Sequence, residues 1–177
     1  REDESVYAKG GELPGVATVE KNLLKELPQT LSDLEDRTLM MFDLDQVKAL
    51  ALVLAGEAAR LEKNEDTWNW LGDENRKDPE NWQVNSLLWN LQELEYLPGD
   101  FPRAQSFAEN KVFELVLYSE NDEKLGTFSL LEVPSEKTER GVLRFSKGSE
   151  PALAYWLSGE SLKELHDNAK KLLSPEA

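Results

Sequence analysis

His166 is the only imidazole the chain can offer for proton transfer near neutral pH. With Ser158 or Ser161 and an acid it could build a relay in which the ring takes a hydroxyl proton and a carboxylate orients the ring. Neither serine sits in a Gly-x-Ser-x-Gly elbow, and a lone helical histidine is ordinarily structural. Asp43 and Asp45 place two carboxylates at i, i+2. Such a pair can hold a cation or divide acid and base roles in glycoside hydrolysis. The same spacing shapes a turn whose aspartates accept local backbone hydrogen bonds, the reading favoured here. Residues 119–124, SENDEK, lack the ligand periodicity and central glycine of a calcium loop and read as a hairpin tip. Lys9-Gly10 and Lys147-Gly148 lack the GxxxxGK[ST] form of a phosphate loop. The chain has no cysteine, which excludes disulfides, zinc–thiolate sites, iron–sulfur clusters and thiol nucleophiles. No catalytic or metal-ligating residue is assigned, and no cofactor is expected.

The tryptophans are the remaining candidates. Trp68, Trp70, Trp82, Trp89 and Trp156 are of the type that fills a core or lines a carbohydrate or peptide groove. Trp82, near a helix start, and Trp68, beside a polar loop, are the two expected to reach solvent and contact a ligand.

Composition narrows the partners. Over 177 residues, 35 acidic against 20 basic side chains give a net charge of −15, which repels a phosphate backbone and argues against nucleic-acid binding. The acidity reads as a solvated surface, or else as a patch for a basic partner or divalent cations. Apolar residues make up 40 % and charged residues 31 %, the balance of a chain that folds. No apolar run reaches the ~20 residues of a membrane span, and no signal-peptide pattern follows Arg1.

The elements that must position these residues alternate between hairpins and helices. Ser5 to Ala8 and Val16 to Val19 flank Lys9-Gly10-Gly11 as two β-prone runs, and Lys21 to Leu27 reads as a short helix stopped by Pro28. Residues 47–54 read as a strand, followed by a second run over 59–63 and a third over 67–71 with tryptophans at period 2. The spacing of Val84, Leu87, Leu88, Leu91 and Leu94 predicts a helix over 80–97, with Asp78 as cap, Pro79 in its first turn, and Trp82 and Trp89 widening its apolar stripe. A hairpin is expected over 112–133, then strands 142–146 and 152–157, then a helix from Gly159 to Leu173 capped by Ser158.

Residues 9–27 recur without a gap as residues 147–165, with seven of nineteen positions identical. A strand–turn–strand–helix motif used twice marks a repeated unit. The fold expected is α+β: antiparallel or mixed sheets of hairpins with helices packed on one face. Residues 1–36 are read as the closing hairpin and helix of a preceding unit, and 37–177 as one complete unit. The chain is accordingly read as cut from a longer protein.

The stretch 27–52 carries Asp33-Leu34-Glu35-Asp36-Arg37, then Phe42-Asp43, then Asp45 before Val47. With Trp68 or Trp70 closing a strand pair, the leucine ladder 87–94, and the hairpins and helix of 112–173, it resembles a bacterial family designated domain of unknown function 4340. The resemblance spans about 27–173. It implies a membrane-anchored, envelope-facing protein, often encoded beside gliding-type ABC transport components, with no catalytic residues to carry over. The function expected is thus a non-catalytic interaction or scaffold domain, periplasmic or extracytoplasmic, with a protein partner among ABC transporter components. Contact with the membrane would come only through an anchor outside this chain. The alternative is a glycan- or peptide-binding module using exposed tryptophans, and the third reading is a hydrolase using acidic residues.

Overall fold

The computed structural model describes residues 5–8, 17–20, 34–72, 76–99, 111–131 and 139–173. The chain divides into two compact units, Arg1–Asp36 and Arg37–Ala177. In the first, β1 (Ser5–Ala8) pairs antiparallel with β2 (Ala17–Glu20). The expected turn at Lys9-Gly10-Gly11 and the helix Lys21–Leu27 lie outside the described residues.

Among the described residues the second unit is an antiparallel seven-stranded sheet with two helices, an α+β fold. Its strands are β3 (Ala49–Leu54), β4 (Glu57–Asn64), β5 (Thr67–Trp70), β6 (Phe113–Tyr118), β7 (Lys124–Leu130), β8 (Arg140–Lys147) and β9 (Leu153–Ser158). They lie in the order β5-β4-β3-β6-β7-β8-β9. Antiparallel pairing of sequence neighbours makes two meanders, β3-β4-β5 and β6-β7-β8-β9, which join where β3 pairs with β6. Helix α1 (Asn81–Gln92) lies in the connection from β5 back to β6. Helix α2 (Gly159–Leu173) follows β9 and packs against α1, β8, β9 and β3.

Cross-strand register explains the core. Leu52, Leu115, Phe128 and Phe145 stand in one row across four strands, and Leu54, Phe113, Leu130 and Leu143 in the next. Because side chains alternate with period 2, these rows share one face, and all eight residues are buried. Val84, Leu87, Leu88 and Leu91 of α1 and Leu162, Leu165, Ala169 and Leu172 of α2 complete the same cluster. Each large side chain so buried contributes about 1.5–3 kcal/mol. Gly126 stands in the row beyond Phe128, opposite Leu117, where Met40 covers it: a Cβ there would lie 2.7 Å from the Met40 sulfur.

Two expectations change. The ladder reaches Leu94, but α1 ends at Gln92, and Glu95 forms an antiparallel bridge with Thr38. Leu39 N donates to Leu94 O, Tyr96 N to Arg37 O and Leu97 N to Trp156 O, so extended pairing replaces the last helical turns. Pro98 also disfavours helical backbone at Leu97. The cap of α1 is Glu80, whose N–H donates to Gln83 Oε1 at 2.9 Å. Asp78 is drawn away to the edge strand.

The two hairpins of the repeat differ in register. Tyr7 faces Thr18, so a strict repeat would set Phe145 opposite Trp156, yet Phe145 faces Leu153. The closing hairpin is three residues tighter, and a shift by an odd number exchanges the two faces.

Candidate functional site

Helix α1 has the sequence NWQVNSLLWNLQ and carries no charged residue. A surface helix ordinarily sets charges opposite its apolar stripe. Here the side opposite Val84, Leu87, Leu88 and Leu91 presents Trp82 and Trp89, 65 % and 50 % exposed. Seven residues apart, they stand two turns, or about 10.5 Å, from each other on one ridge. The flanks of the helix are fixed by polar contacts. Asn90 donates to Glu164 Oε1 of α2 at 3.2 Å, and Gln92 Nε2 donates to Phe42 O at 2.6 Å on the other side. The ridge therefore stays clear of both neighbours. The charges at the helix ends, Glu80, Glu93 and Glu95, are all acidic and all exposed.

At the head of the ridge a cleft of about 430 Å³ runs between β5 and the start of α1, and both Trp68 and Trp82 line it. The expectation that both rings reach solvent is half corrected, since Trp68 is only 2 % exposed. Period 2 along β5 sets Trp68 on the same face as Trp70, which pairs with Leu61 on the core side. Asp78 forms the cleft wall. Its Oδ1 accepts from Trp70 N and its Oδ2 from Asn69 Nδ2, both at 2.9 Å. The Asn69 amide, followed by the Trp70 N–H, holds this carboxyl below its ordinary range. Thr67 Oγ1 donates to Asn64 O, and Asn81 Nδ2 to Asp66 O. Several donors of the wall are thus spent inside the fold, and the capacity left is weighted towards carboxylate acceptors.

Residues 1–99 match the family whose description is "Domain of unknown function (DUF4340)". The chain belongs to this family. No curated protein and no solved structure matches it. The DUF4340 match takes in β1 to β5 and α1, hence the cleft and the ridge. It stops before β6, so the resemblance read over 112–173 lies outside it.

The other chemical candidates in this DUF4340 chain do not converge. His166 lies 3.5 Å from its sequence neighbour Asp167. Ser158 Oγ accepts from Ser161 N at 3.0 Å, which makes Ser158 the cap of α2, as its position predicts. Asp43 Oδ1 accepts from Asp45 N at 3.0 Å and caps the 3-10 turn Leu44–Gln46, the structural reading of that pair. Glu114 accepts from Ser129 Oγ at 3.0 Å and pairs with Lys111. Burial pushes its carboxyl up, but Lys111 and Ser129 together prevail and hold it low, so it is a weak base. Arg60 pairs with Asp122 at 2.6 Å and stacks 4.9 Å from the Tyr118 ring, in a cavity of about 440 Å³ that mixes both signs of charge. Among the described residues no group of three or more His, Asp or Glu could hold a metal ion. No described helix is long and apolar enough to cross a membrane.

The reading that Trp82 and Trp89 widen the apolar stripe is corrected for both, and Trp89 was not among the residues expected to reach solvent. The signal was present. At 100° per residue Trp82 and Trp89 fall within about 20° of each other and opposite the mean direction of the leucines.

Proposed function

We propose that this chain is a non-catalytic protein-interaction domain of a bacterial envelope protein, working beside an ABC-type transport system. The observation that carries the interaction reading is the uncharged helix α1 with Trp82 and Trp89 turned outward. Tryptophan is enriched among the residues that dominate binding energies, and an exposed pair on one rigid helix is an expensive arrangement to keep in water. The envelope setting and the transport context rest on the family resemblance drawn from the sequence.

Two experiments test this. A photo-crosslinking residue at position 89 of the full-length protein, in its own bacterium, should give one discrete protein adduct. The same residue at exposed Lys170 on α2 should not. Diffuse or absent labelling from 89 refutes the interaction reading. The chain has no cysteine of its own. Glu93→Cys therefore adds one thiol to it, and labelling of intact cells by a membrane-impermeant maleimide, over that of the unsubstituted protein, tests the compartment. Labelling only after lysis sinks the envelope placement.

The glycan reading is weaker on the same geometry. Sugar hydroxyls need donors and acceptors together, and the cleft has part of its donor capacity engaged in holding β5.

A further inference from the structure

We propose that the partner surface docked on α1 is basic, and that one of its arginine side chains enters the cleft beside Trp82. This rests on the interaction reading above and gives it a chemistry.

Three observations lead there. First, the chain repeatedly places a guanidinium over an aromatic ring. Arg76 lies 4.0 Å from the Trp70 ring centroid, Arg140 lies 4.5 Å from that of Trp156, and Arg60 covers Tyr118. Around Trp70 the set is complete, because Arg76 also pairs with Glu57 at 3.1 Å. An indole, a guanidinium and a carboxylate form one unit there. The cleft holds the same indole and carboxylate parts in Trp82, Glu80 and Asp78, and among the described residues no lysine or arginine lines it. Second, a planar cation supplies donors only, which suits a wall weighted towards acceptors. The start of α1 adds about half a positive charge, and two carboxylates outweigh it. Third, the charge around the ridge selects among occupants. Exposed Glu80 lines the cleft with Trp82, exposed Glu93 stands one turn beyond Trp89, and the chain carries −15 overall. A second copy would bring the same acidic rim face to face, and an anionic lipid surface would be repelled. A protein with an apolar centre and a basic rim is complementary on both counts.

The footprint has room to continue beyond Trp89. Gln92 lines a second cavity, of about 250 Å³, with Met41 and Phe42, and Met41 is 81 % exposed. A methionine beside an aromatic ridge is an adaptable apolar contact.

The test uses two amphipathic helical peptides with the same leucine stripe, one carrying arginine at its rim positions and the other glutamine. Each is titrated into the ¹⁵N-labelled chain while the indole N–H signals are followed. The arginine peptide should bind about tenfold tighter near 25 mM salt, with the Trp82 signal moving most, and the advantage should fall to about threefold near 500 mM. Trp82→Ala and Glu80→Gln should each remove most of that advantage. Trp89→Ala should weaken both peptides and leave their ratio intact. Equal affinities, failure of both peptides to bind, or a neutral oligosaccharide that moves Trp82 as strongly would each overturn the proposal. None of these outcomes touches the interaction reading, which the crosslink from position 89 decides on its own.

Discussion

Replacing Trp68 and Trp82 by alanine, one at a time, separates core from contact surface within a single cleft. An indole side chain has about 200 Å² to bury, and burial is worth about 25 cal/mol per Å². Trp68 is 2 % exposed, so its loss removes nearly all of that area, and Trp68→Ala should cost about 3–5 kcal/mol. Trp82 is 65 % exposed, which leaves roughly a third of the area covered, or about 1.7 kcal/mol by the same coefficient. Alanine returns about 0.5 kcal/mol through its better helix propensity, for a net loss near 1 kcal/mol. Urea denaturation reads the contrast directly. With a slope of about 2 kcal/mol/M, Trp68→Ala should lower the midpoint by about 1.5–2.5 M and Trp82→Ala by about 0.5 M. Trp89→Ala, on the same ridge but half covered, should fall between them with a loss of about 2 kcal/mol, or about 1 M. Equal losses at 68 and 82 would refute the reasoning, because Trp82 would then be a core residue and the ridge would lose one of its two anchors.

The remaining predictions concern the scaffold and are read from melting or denaturant curves. Gly126→Ala should destabilise by about 1–2 kcal/mol, since its Cβ would meet the Met40 sulfur at 2.7 Å, and Met40→Ala in the same chain should remove most of that penalty. Ala55 stands at φ +51° beside Gly56 at φ +88° in the β3–β4 turn, so Ala55→Gly should raise stability by about 0.5–1 kcal/mol. Asp78 has its carboxyl held low in the folded state, so the unfolded chain takes up the proton first and stability rises with pH through that range. Its contribution should be whole above about pH 4 and lost as the pH falls further, and Asp78→Asn should flatten that part of the acid limb. An acid limb unchanged by Asp78→Asn would show that the edge strand does not depend on the carboxylate.

Local pattern carried much of this fold into the sequence. The alternation of 47–54, the ladder of 84–91 and the serine before Gly159 each specify an element through contacts a few residues apart. The family assignment, too, was legible in the aspartate-rich stretch and the ladder. What escaped was set at longer range. Nothing local says that β3 pairs with β6, some sixty residues on, or that extended pairing with Arg37 and Leu39 outcompetes the end of α1. Asp78 illustrates the same limit: as a helix cap it satisfies its near neighbours, but the unpaired edge of β5 claims it. For the site, the phase of each element held the answer. Period 2 ties Trp68 to the buried Trp70, and the helical wheel turns Trp89 outward, whereas proximity to a polar loop misled for Trp68.

The join between β3 and β6 also has a kinetic consequence. Every other strand pair of the sheet links neighbours along the chain through a short turn or loop, so each meander can form early at a small entropic cost. Pairing Ala49–Leu54 with Phe113–Tyr118 must close a loop of some sixty residues and should come last. In pulse-labelled refolding, amides of β4 and of β7 should gain protection before those that bridge β3 and β6. Helix α1, carried inside that loop, would acquire its seat only when the two meanders meet. The tryptophan ridge would then be displayed by the assembled sheet and withheld by its separate halves.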